Sequence, residues 1–355
     1  MNDTLKIFGI NGFGRIGRTA FRVWWHKHAH ELDLKVINTS GSMDIEDWVH
    51  LLKYDSNYGI FDADLSYHKE RTTKEVSDEN PVLGSLIVRD GSRGERKILI
   101  TAQRDPAKIP WGSNGVETVI DSTGVFITQE KASLHLQGGA KTVVISAPPK
   151  GGNIETGIIG VNQFSHDVTV VSNASCTTNC VAPVASIVHH VFGVKKAMMT
   201  TVHSYTDDQN LHDNSHKDMR RARAAAQNIV PTSTGAAISV TEIIPELKGM
   251  FDGLAIRVPT AVGSLSDMVF VTARPTSIEE VNKILIEASQ QEQWRGVLAV
   301  TDEAIVSSDI KGRPESSIVD LSLTNVIGGD LVKIVSWYDN EFGYCNRLIE
   351  QVVRV

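Results

Sequence analysis

Cysteine is scarce: among 355 residues there are only Cys176, Cys180 and Cys345. So odd and sparse a set excludes a disulfide framework and suits free thiols in a reducing compartment. No apolar run approaches the roughly eighteen residues that a bilayer-spanning helix needs. Nor does a basic segment lead into an apolar stretch with a small-residue cleavage site, so a cytoplasmic protein is expected. Positive charge is not in excess. The formal net charge of -7 argues against nucleic acid or an anionic membrane as primary partner. Repeats, low-complexity tracts and charged tails are missing too, and no metal is expected. What remains is globular: 41% apolar and 22% charged residues suffice for a large core, and the length suits two domains.

The first half alternates strand and helix. Strands are predicted over Leu5 to Ile10, Asp33 to Asn38, Val116 to Asp121 and Thr142 to Ala147, with helices over Arg15 to His28 and Ile45 to Leu52. That alternation predicts a Rossmann-type, doubly wound parallel sheet with helices on both faces. After about Ser175 the period changes to two, over Lys196 to His203, Asp267 to Ala273 and Asp330 to Trp337. A mixed, largely antiparallel α+β domain is expected there, interrupted by the polar, arginine-rich loop Asp207 to Asn228, whose length marks it as functional. The domains are set at residues 1–175 and 176–339. A C-terminal helix over 340–355 is expected to pack back on one of them.

Gly12-Phe13-Gly14-Arg15-Ile16-Gly17 lies between a predicted strand and a predicted helix. In that context Gly12 permits a tight turn, Gly14 lets backbone approach a pyrophosphate, and Gly17 allows close helix–strand packing at a helix N-terminus that attracts anions. A dinucleotide is the expected ligand. A carboxylate for the adenosine ribose should stand about twenty residues on, but Thr39 occupies the end of that strand, followed by Ser40. Without the repulsion of a carboxylate a 2′-phosphate is tolerated, so NADP or dual use with NAD is expected.

The second chemical signal is Ser172 to Cys180, polar capping residues around a cysteine just before an apolar run. Asn173 or Ser175 would cap the helix, and Cys176 would then sit in its first turn, where the helix dipole favours a thiolate. Cys180, one turn on, is expected to be buried and inert. Pro183 should bend that helix unless it lies near its start. Twelve histidines are present, and spacing alone does not choose among them. His203, at a strand end before the long loop, is a candidate base.

Taken together, these blocks resemble the phosphorylating glyceraldehyde-3-phosphate dehydrogenases over essentially the whole chain. The resemblance is carried by Asn11 to Arg18, Leu52 to Ser56, Arg104-Asp105-Pro106, Ser122 to Phe126 and Ser172 to Asn179. It continues through Arg220 to Ala226, Pro231 to Ala237, Arg257-Val258-Pro259-Thr260 and Trp337 to Tyr344. It implies NAD(P)-dependent oxidation of glyceraldehyde 3-phosphate with inorganic phosphate, in a homotetramer. Cys176 would form a hemithioacetal and then a thioester, and His203 would hold the thiol as thiolate and take the hydroxyl proton. Thr206 and Arg257, with Asp208 nearby, match a site for the substrate's own phosphate. Ser175, Thr177, Arg221, Thr234 and Gly235 match one for the attacking phosphate. Arg15, Ile16, Arg104, Ser122 and Asn340 match cofactor contacts.

Several positions depart from the family pattern. Thr39 replaces an aspartate, and Ser215 stands where NAD-dependent members often carry proline; both resemble NADP-using photosynthetic members. Ile238 replaces a lysine, and Thr260-Ala261-Val262-Gly263-Ser264 departs from the usual run; these are read as matters of subtype and subunit packing. Erythrose-4-phosphate dehydrogenase, or a non-catalytic protein retaining the fold, are the alternatives.

Overall fold

The apolar run that begins the chain becomes strand β1 (Lys6–Asn11), whose inner residues Phe8 and Ile10 are wholly buried. It pairs in parallel with β2 (Leu32–Thr39). The computed structural model describes residues 5–165 and 167–355, and these group into two compact units. Met1–Thr156, Phe164–Asn173 and Leu348–Val355 form the first, and Gly157–Gln163 with Ala174–Arg347 the second. Among the described residues no helix is long and apolar enough to cross a membrane, and no group of three or more His, Cys, Asp or Glu is placed to hold a metal ion.

In the first unit α1 (Arg15–Val23) follows β1, and α2 (Ile45–Lys53) follows β2. The predicted helix Arg15 to His28 does not stay α-helical. From Trp24 to His28 it widens into a π-helical turn, which seats the consecutive indoles of Trp24 and Trp25 so that both are buried, edge-to-face at 5.8 Å. The strand–helix alternation also lapses after α2. A short hairpin, β3 (Tyr54–Asp55) with β4 (Gly59–Ile60), is followed by β5 (Asp64–Lys69), β6 (Val82–Asp90) and β7 (Gly94–Ala102) with no helix between them. The reason is local turn chemistry. Between β6 and β7 the Asp90 carboxylate accepts from the backbone N–H groups of Ser92 and Arg93, closing a tight reversal.

The remaining elements of this unit are β8 (Thr118–Asp121), the short helices α3 (Gln129–Ala132) and α4 (Leu134–Gln137), β9 (Thr142–Ile145), β10 (Glu155–Thr156) and β11 (Val170–Ser172). The sheet order is β10-β11-β9-β8-β1-β2-β7-β6-β5. Every pair is parallel as far as β7, and the last two are antiparallel. The order reverses at β1, between β2 on one side and β8 on the other, which is where such sheets bind ligands.

The second unit opens on α5 (Cys176–Phe192), which continues through the buried Pro183. Its strands are β12 (Val194–Ser204), β13 (Val230–Thr232), β14 (Phe251–Val258), β15 (Ser264–Thr272), β16 (Leu298–Thr301), β17 (Ser317–Asp320), β18 (Asn325–Ile327) and β19 (Leu331–Tyr338). They form a mixed, mostly antiparallel sheet in the order β13-β14-β12-β15-β19-β17-β16, with β18 on β19. Helices α6 (Ala236–Ile243) and α7 (Ile278–Ser289) join α5 in one apolar core with the sheet. The last helix, α8 (Phe342–Arg354), is divided between the two units at Leu348.

Period two does the positioning. Along β12, Ala197, Met199, Thr201 and His203 turn to the core side, while Lys196 and Met198 turn outward. Arg257 of β14 stands in register beside His203. The polar stretch between β12 and β13 is braced from within: Asn210 N–H reaches the Arg221 carbonyl at 3.0 Å, and Asp213 binds Arg223 at 2.8 Å and the Ala224 N–H at 3.0 Å.

Candidate active site

Ala174 is the one non-glycine residue in left-handed backbone, at φ 53, among the described residues. Such a conformation is costly and is held by its surroundings; here the Tyr344 hydroxyl donates to the Ala174 carbonyl at 3.1 Å. The bend turns the chain into α5 at Ser175. Of the two capping candidates Ser175 is the cap, its Oγ accepting from the Thr178 N–H at 3.1 Å. Cys176 therefore occupies the first helical position, half-buried, with Sγ 3.4 Å from His203 Nε2.

The imidazole's tautomer follows from its other edge. Nδ1 lies 2.7 Å from the Ser204 carbonyl, which can only accept, so Nδ1 carries the proton and Nε2 is presented to sulfur. Burial pushes the Cys176 thiol up against the opposing pull of Arg257. Burial and the Arg257 charge both bring His203 down, to about 3. Both directions weigh against the thiolate–imidazolium pair expected from the sequence and toward a thiol that donates to the imidazole. Cys180 is wholly buried, with Sγ 3.9 Å from the Ser336 carbonyl, and burial raises it to about 12.

Arg257 Nη1 is 3.2 Å from His203 Nδ1 and donates to Thr206 Oγ1 at 2.6 Å. The Thr206 hydroxyl in turn donates to Asp208, whose other oxygen lies 3.0 Å from Arg221 Nη1. Burial alone would raise Asp208, but the Thr206 hydroxyl, Arg257 and Arg221 outweigh it and hold the carboxyl below its usual range. Arg221 also donates to the Ser233 carbonyl at 3.3 Å, beside Thr234 and Gly235 at the start of α6. Two cationic corners, one at Arg257 and one at Arg221, are therefore joined by one carboxylate. The Ser175 and Thr177 hydroxyls, expected to serve the second corner, are engaged elsewhere: Ser175 as the cap, and Thr177 with the Tyr338 hydroxyl at 2.9 Å.

Three contributors went unread in the sequence. Tyr338 stands edge-to-face on His203, with ring centroids 6.0 Å apart. Thr201 Oγ1 spends its proton on the Leu265 carbonyl at 3.0 Å, so Tyr338 donates to Thr201 at 2.7 Å and accepts from Thr177. Tyr344 supports Ala174. The loop 260–264, taken as remote from the chemistry, is not remote. The Ser264 hydroxyl accepts from the Ser204 N–H at 3.1 Å and donates to Asn340 Oδ1 at 3.0 Å, which also accepts from the Gly263 N–H at 3.1 Å. Asn340 is thereby turned so that its amide nitrogen is the end left for a ligand. Alternation along β15 and β19 was the available signal for Ser264 and Tyr338.

In the first unit the glycine loop has the shape of a cradle. Gly12 has φ 93, and a Cβ on Gly17 would fall 2.1 Å from the Gly12 carbonyl oxygen. A Cβ on Gly14 would meet nothing within 4 Å, so that side of the loop is open to an approaching group. The residues fit a dinucleotide pyrophosphate at the start of α1. Ser122 Oγ donates to the Gly12 carbonyl at 2.7 Å. The Arg15 guanidinium is paired with Asp55 at 2.5 Å, and Ile16 follows it in the first turn of α1. Arg104 is exposed just beyond β7.

Thr39 requires a correction. It is 1% exposed, and its hydroxyl donates to the Thr101 carbonyl at 3.0 Å and accepts from the Gly41 N–H at 3.3 Å, so it does not face a ribose. Ser40 and Ser42, hydrogen-bonded to each other at 3.0 Å, are the exposed hydroxyls there. Ser215 is exposed on the long loop, its N–H bound to Asn214 at 2.7 Å.

Comparison with known proteins agrees with this geometry. Residues 6–129 match the NAD binding domain of glyceraldehyde 3-phosphate dehydrogenase, and residues 175–340 its C-terminal domain. The glyceraldehyde-3-phosphate dehydrogenase of Streptomyces coelicolor is 47% identical, covering 99% of this chain and 98% of its own. That of Geobacillus stearothermophilus is 46% identical, with 96% of each chain covered. The chloroplastic glyceraldehyde-3-phosphate dehydrogenase A of Zea mays is 47% identical over 98% of this chain and 81% of its own. With a cysteine–histidine pair in one unit, a dinucleotide cradle in the other and such similarity across both, the chain belongs to the glyceraldehyde-3-phosphate dehydrogenase family.

Proposed function

We propose that the protein oxidises glyceraldehyde 3-phosphate with NAD or NADP and inorganic phosphate, giving 1,3-bisphosphoglycerate reversibly, with Cys176 as nucleophile and His203 as acid–base. The observation that carries this is the 3.4 Å approach of Cys176 Sγ to His203 Nε2, with Nδ1 committed to the Ser204 carbonyl. His203 takes the thiol proton as sulfur bonds to the aldehyde carbon, and returns it to the oxygen of the resulting hemithioacetal. A nicotinamide held by the first unit would supply the acceptor for the hydride that leaves the hemithioacetal carbon. His203 takes back the hydroxyl proton in that step and leaves a thioester on Cys176. A phosphate oxygen then attacks the thioester carbon, and the carbon–sulfur bond breaks to release the acyl phosphate and restore the cysteine.

Thr206 and Arg257 are assigned to the substrate's phosphate, with Asp208 as counter-ion. Arg221, Thr234 and Gly235 are assigned to the attacking phosphate, and guanidinium forks suit both. Gly12, Gly14, Gly17 and Ser122 are assigned to holding the dinucleotide, and Asn340 to its carboxamide. We place the enzyme in the cytoplasm as a homotetramer. The outward face of β12 and β14 supports assembly, with Met198 62% and Leu254 42% exposed, since apolar side chains on a sheet face mark a contact surface. Ser215 would then serve a neighbouring subunit's cofactor.

Initial rates with glyceraldehyde 3-phosphate, with NAD and NADP side by side and with phosphate varied, test the reading. Turnover that saturates in phosphate is expected. Equal rates without phosphate, or a preference for erythrose 4-phosphate, would overturn it.

A further inference from the structure

Among the described residues His135 is the one histidine with no exposed surface, and the reaction makes no use of it. It sits on α4 beneath the strand ends of the first unit's sheet, with both ring nitrogens engaged. Trp111 Nε1, which can only donate, meets Nδ1 at 3.1 Å. Nδ1 must therefore accept, and the proton lies on Nε2, which donates to Asp121 Oδ2 at 3.0 Å. The same carboxylate oxygen accepts from Asn11 Nδ2 at 2.7 Å, while Oδ1 accepts from the N–H and hydroxyl of Thr123 at 3.1 and 2.7 Å.

The chain of bonds continues across the sheet. Asn38 Nδ2 donates to Asn11 Oδ1 at 2.8 Å, and Asn38 Oδ1 accepts from the Thr101 hydroxyl at 2.8 Å. Thr101 offers its carbonyl to Thr39. Asn11, Asn38, Thr101, Asp121 and His135 are all buried. Asn11 immediately precedes Gly12, and Thr123 is what a Cβ on Gly12 would strike, at 2.9 Å. Ser122, between Asp121 and Thr123, holds the Gly12 carbonyl. One buried network thus ties the C-terminal ends of β1, β2, β7 and β8, and it borders both the pyrophosphate loop and the Thr39–Ser40 corner. Fully satisfied networks of this kind specify one arrangement where an apolar core would allow several.

We propose that His135 is a positioning residue for the dinucleotide, setting the glycine loop through Asp121 and Asn11. The inference rests on dinucleotide binding by the first unit and not on the chemistry at Cys176. Neither Asp121 nor Asn11 need touch the ligand; they fix the turn that does.

The test is direct binding of NAD, NADP and ADP-ribose by isothermal titration calorimetry, alongside melting temperature and iodoacetamide alkylation of Cys176. His135→Phe removes one of the two donors to Asp121 Oδ2, loosening the hold on Asn11 and the glycine loop, and should weaken all three ligands by about tenfold. KM for the cofactor should rise while kcat at saturation and Cys176 alkylation hold. His135→Gln keeps an N–H at the ε position and should recover most of the affinity. Trp111→Phe spares the Asp121 contact, so it should lower the melting temperature but leave affinity within about twofold.

If affinity instead follows melting temperature across the three variants, or His135→Phe binds normally, the proposal fails. Should His135→Phe not fold, isosteric Asp121→Asn decides the matter, with unchanged affinity overturning the proposal. Wild-type protein that bound none of the three ligands would overturn the dinucleotide reading itself.

Discussion

Removing the charge of Arg257 should make Cys176 more reactive at neutral pH even as it slows the enzyme. The neutral pair and the thiolate–imidazolium pair differ only in where one proton sits, and Arg257 opposes the second because it stands nearer the imidazole than the sulfur. At 3.2 Å from His203 Nδ1, with an effective dielectric of about 20, a unit charge costs the imidazolium about 5 kcal/mol. The thiolate, farther by the ring width and the 3.4 Å Sγ–Nε2 approach, at roughly 8 Å recovers about 2 kcal/mol of that. The net is about 3 kcal/mol against the ion pair, and since Arg257 is only half-buried, solvent reduces the effect to roughly ten- to hundredfold. The assay is iodoacetamide alkylation of the apo-enzyme from pH 5 to 10. Wild-type rates should climb toward a thiol value above the ordinary one. Arg257→Leu should add a plateau near neutrality, at least about tenfold faster at pH 7, while its final rise moves higher because a lone thiolate has lost its cation. Sulfate should act on the wild type in the same direction, and turnover of the variant should fall with its substrate phosphate contact. Alkylation at pH 7 that is unchanged or slower in Arg257→Leu would refute the reasoning.

Cys176→Ala should abolish turnover yet bind dinucleotide nearly normally by calorimetry, whereas Cys180→Ala should cost only about 1 kcal/mol in urea melts; equal inactivation would mean the thiols are misassigned. His203→Asn should slow the chemical step by roughly a hundred- to ten-thousandfold in single-turnover assays. It should also flatten the acid side of the stability curve. The folded imidazole, at about 3, lies below its ordinary 6.5, so between those values the unfolded chain binds the extra proton and stability falls as pH falls. Urea midpoints between pH 6.5 and 4 should show the variant without up to about 1.4 kcal/mol per pH unit of that slope. Asp208→Asn should lower KM for inorganic phosphate by about threefold or more, since Arg221 no longer has to leave a carboxylate; a raised KM would show that Asp208 helps bind the anion. Ser40→Asp should move cofactor preference from NADP toward NAD by at least about tenfold, or 1.4 kcal/mol, in paired kcat/KM measurements.

What could be read from the residues was whatever local period and short-range chemistry dictate. Alternation with glycine punctuation located β1, α1 and β2, and the change to period two located the second sheet. Capping residues before an apolar run placed Cys176 at a helix start, although choosing Ser175 over Asn173 required the left-handed turn at Ala174. The π-helical turn at Trp24–His28 was not legible, because it answers to the burial of two indoles together and not to any residue's propensity. The antiparallel edge β5–β7 was passed over because the reading carried strand–helix alternation across it, when the turn at Asp90 makes a hairpin cheaper than a crossover.

The site itself divides along the same line. Cys176 and His203 lie 27 residues apart in sequence, and only the pairing of β12 with β14 and the cover of α5 bring them together with Arg257. The family resemblance suggested phosphate sites at Thr206 and Arg257 and at Arg221, but not that Asp208 would link the two arginines through Thr206; that needs the fold of the long loop. Thr39 is the clearest case of a residue read correctly by type and wrongly by direction. The missing carboxylate is real, yet the hydroxyl that replaces it is turned inward to Thr101, where the buried network ending at His135 begins. The departure at the strand end thus bears on cofactor choice in two ways: it removes the charge that would repel a 2′-phosphate, and it secures the strand end from beneath. Ser40 and Ser42 are left as the exposed hydroxyls at that corner.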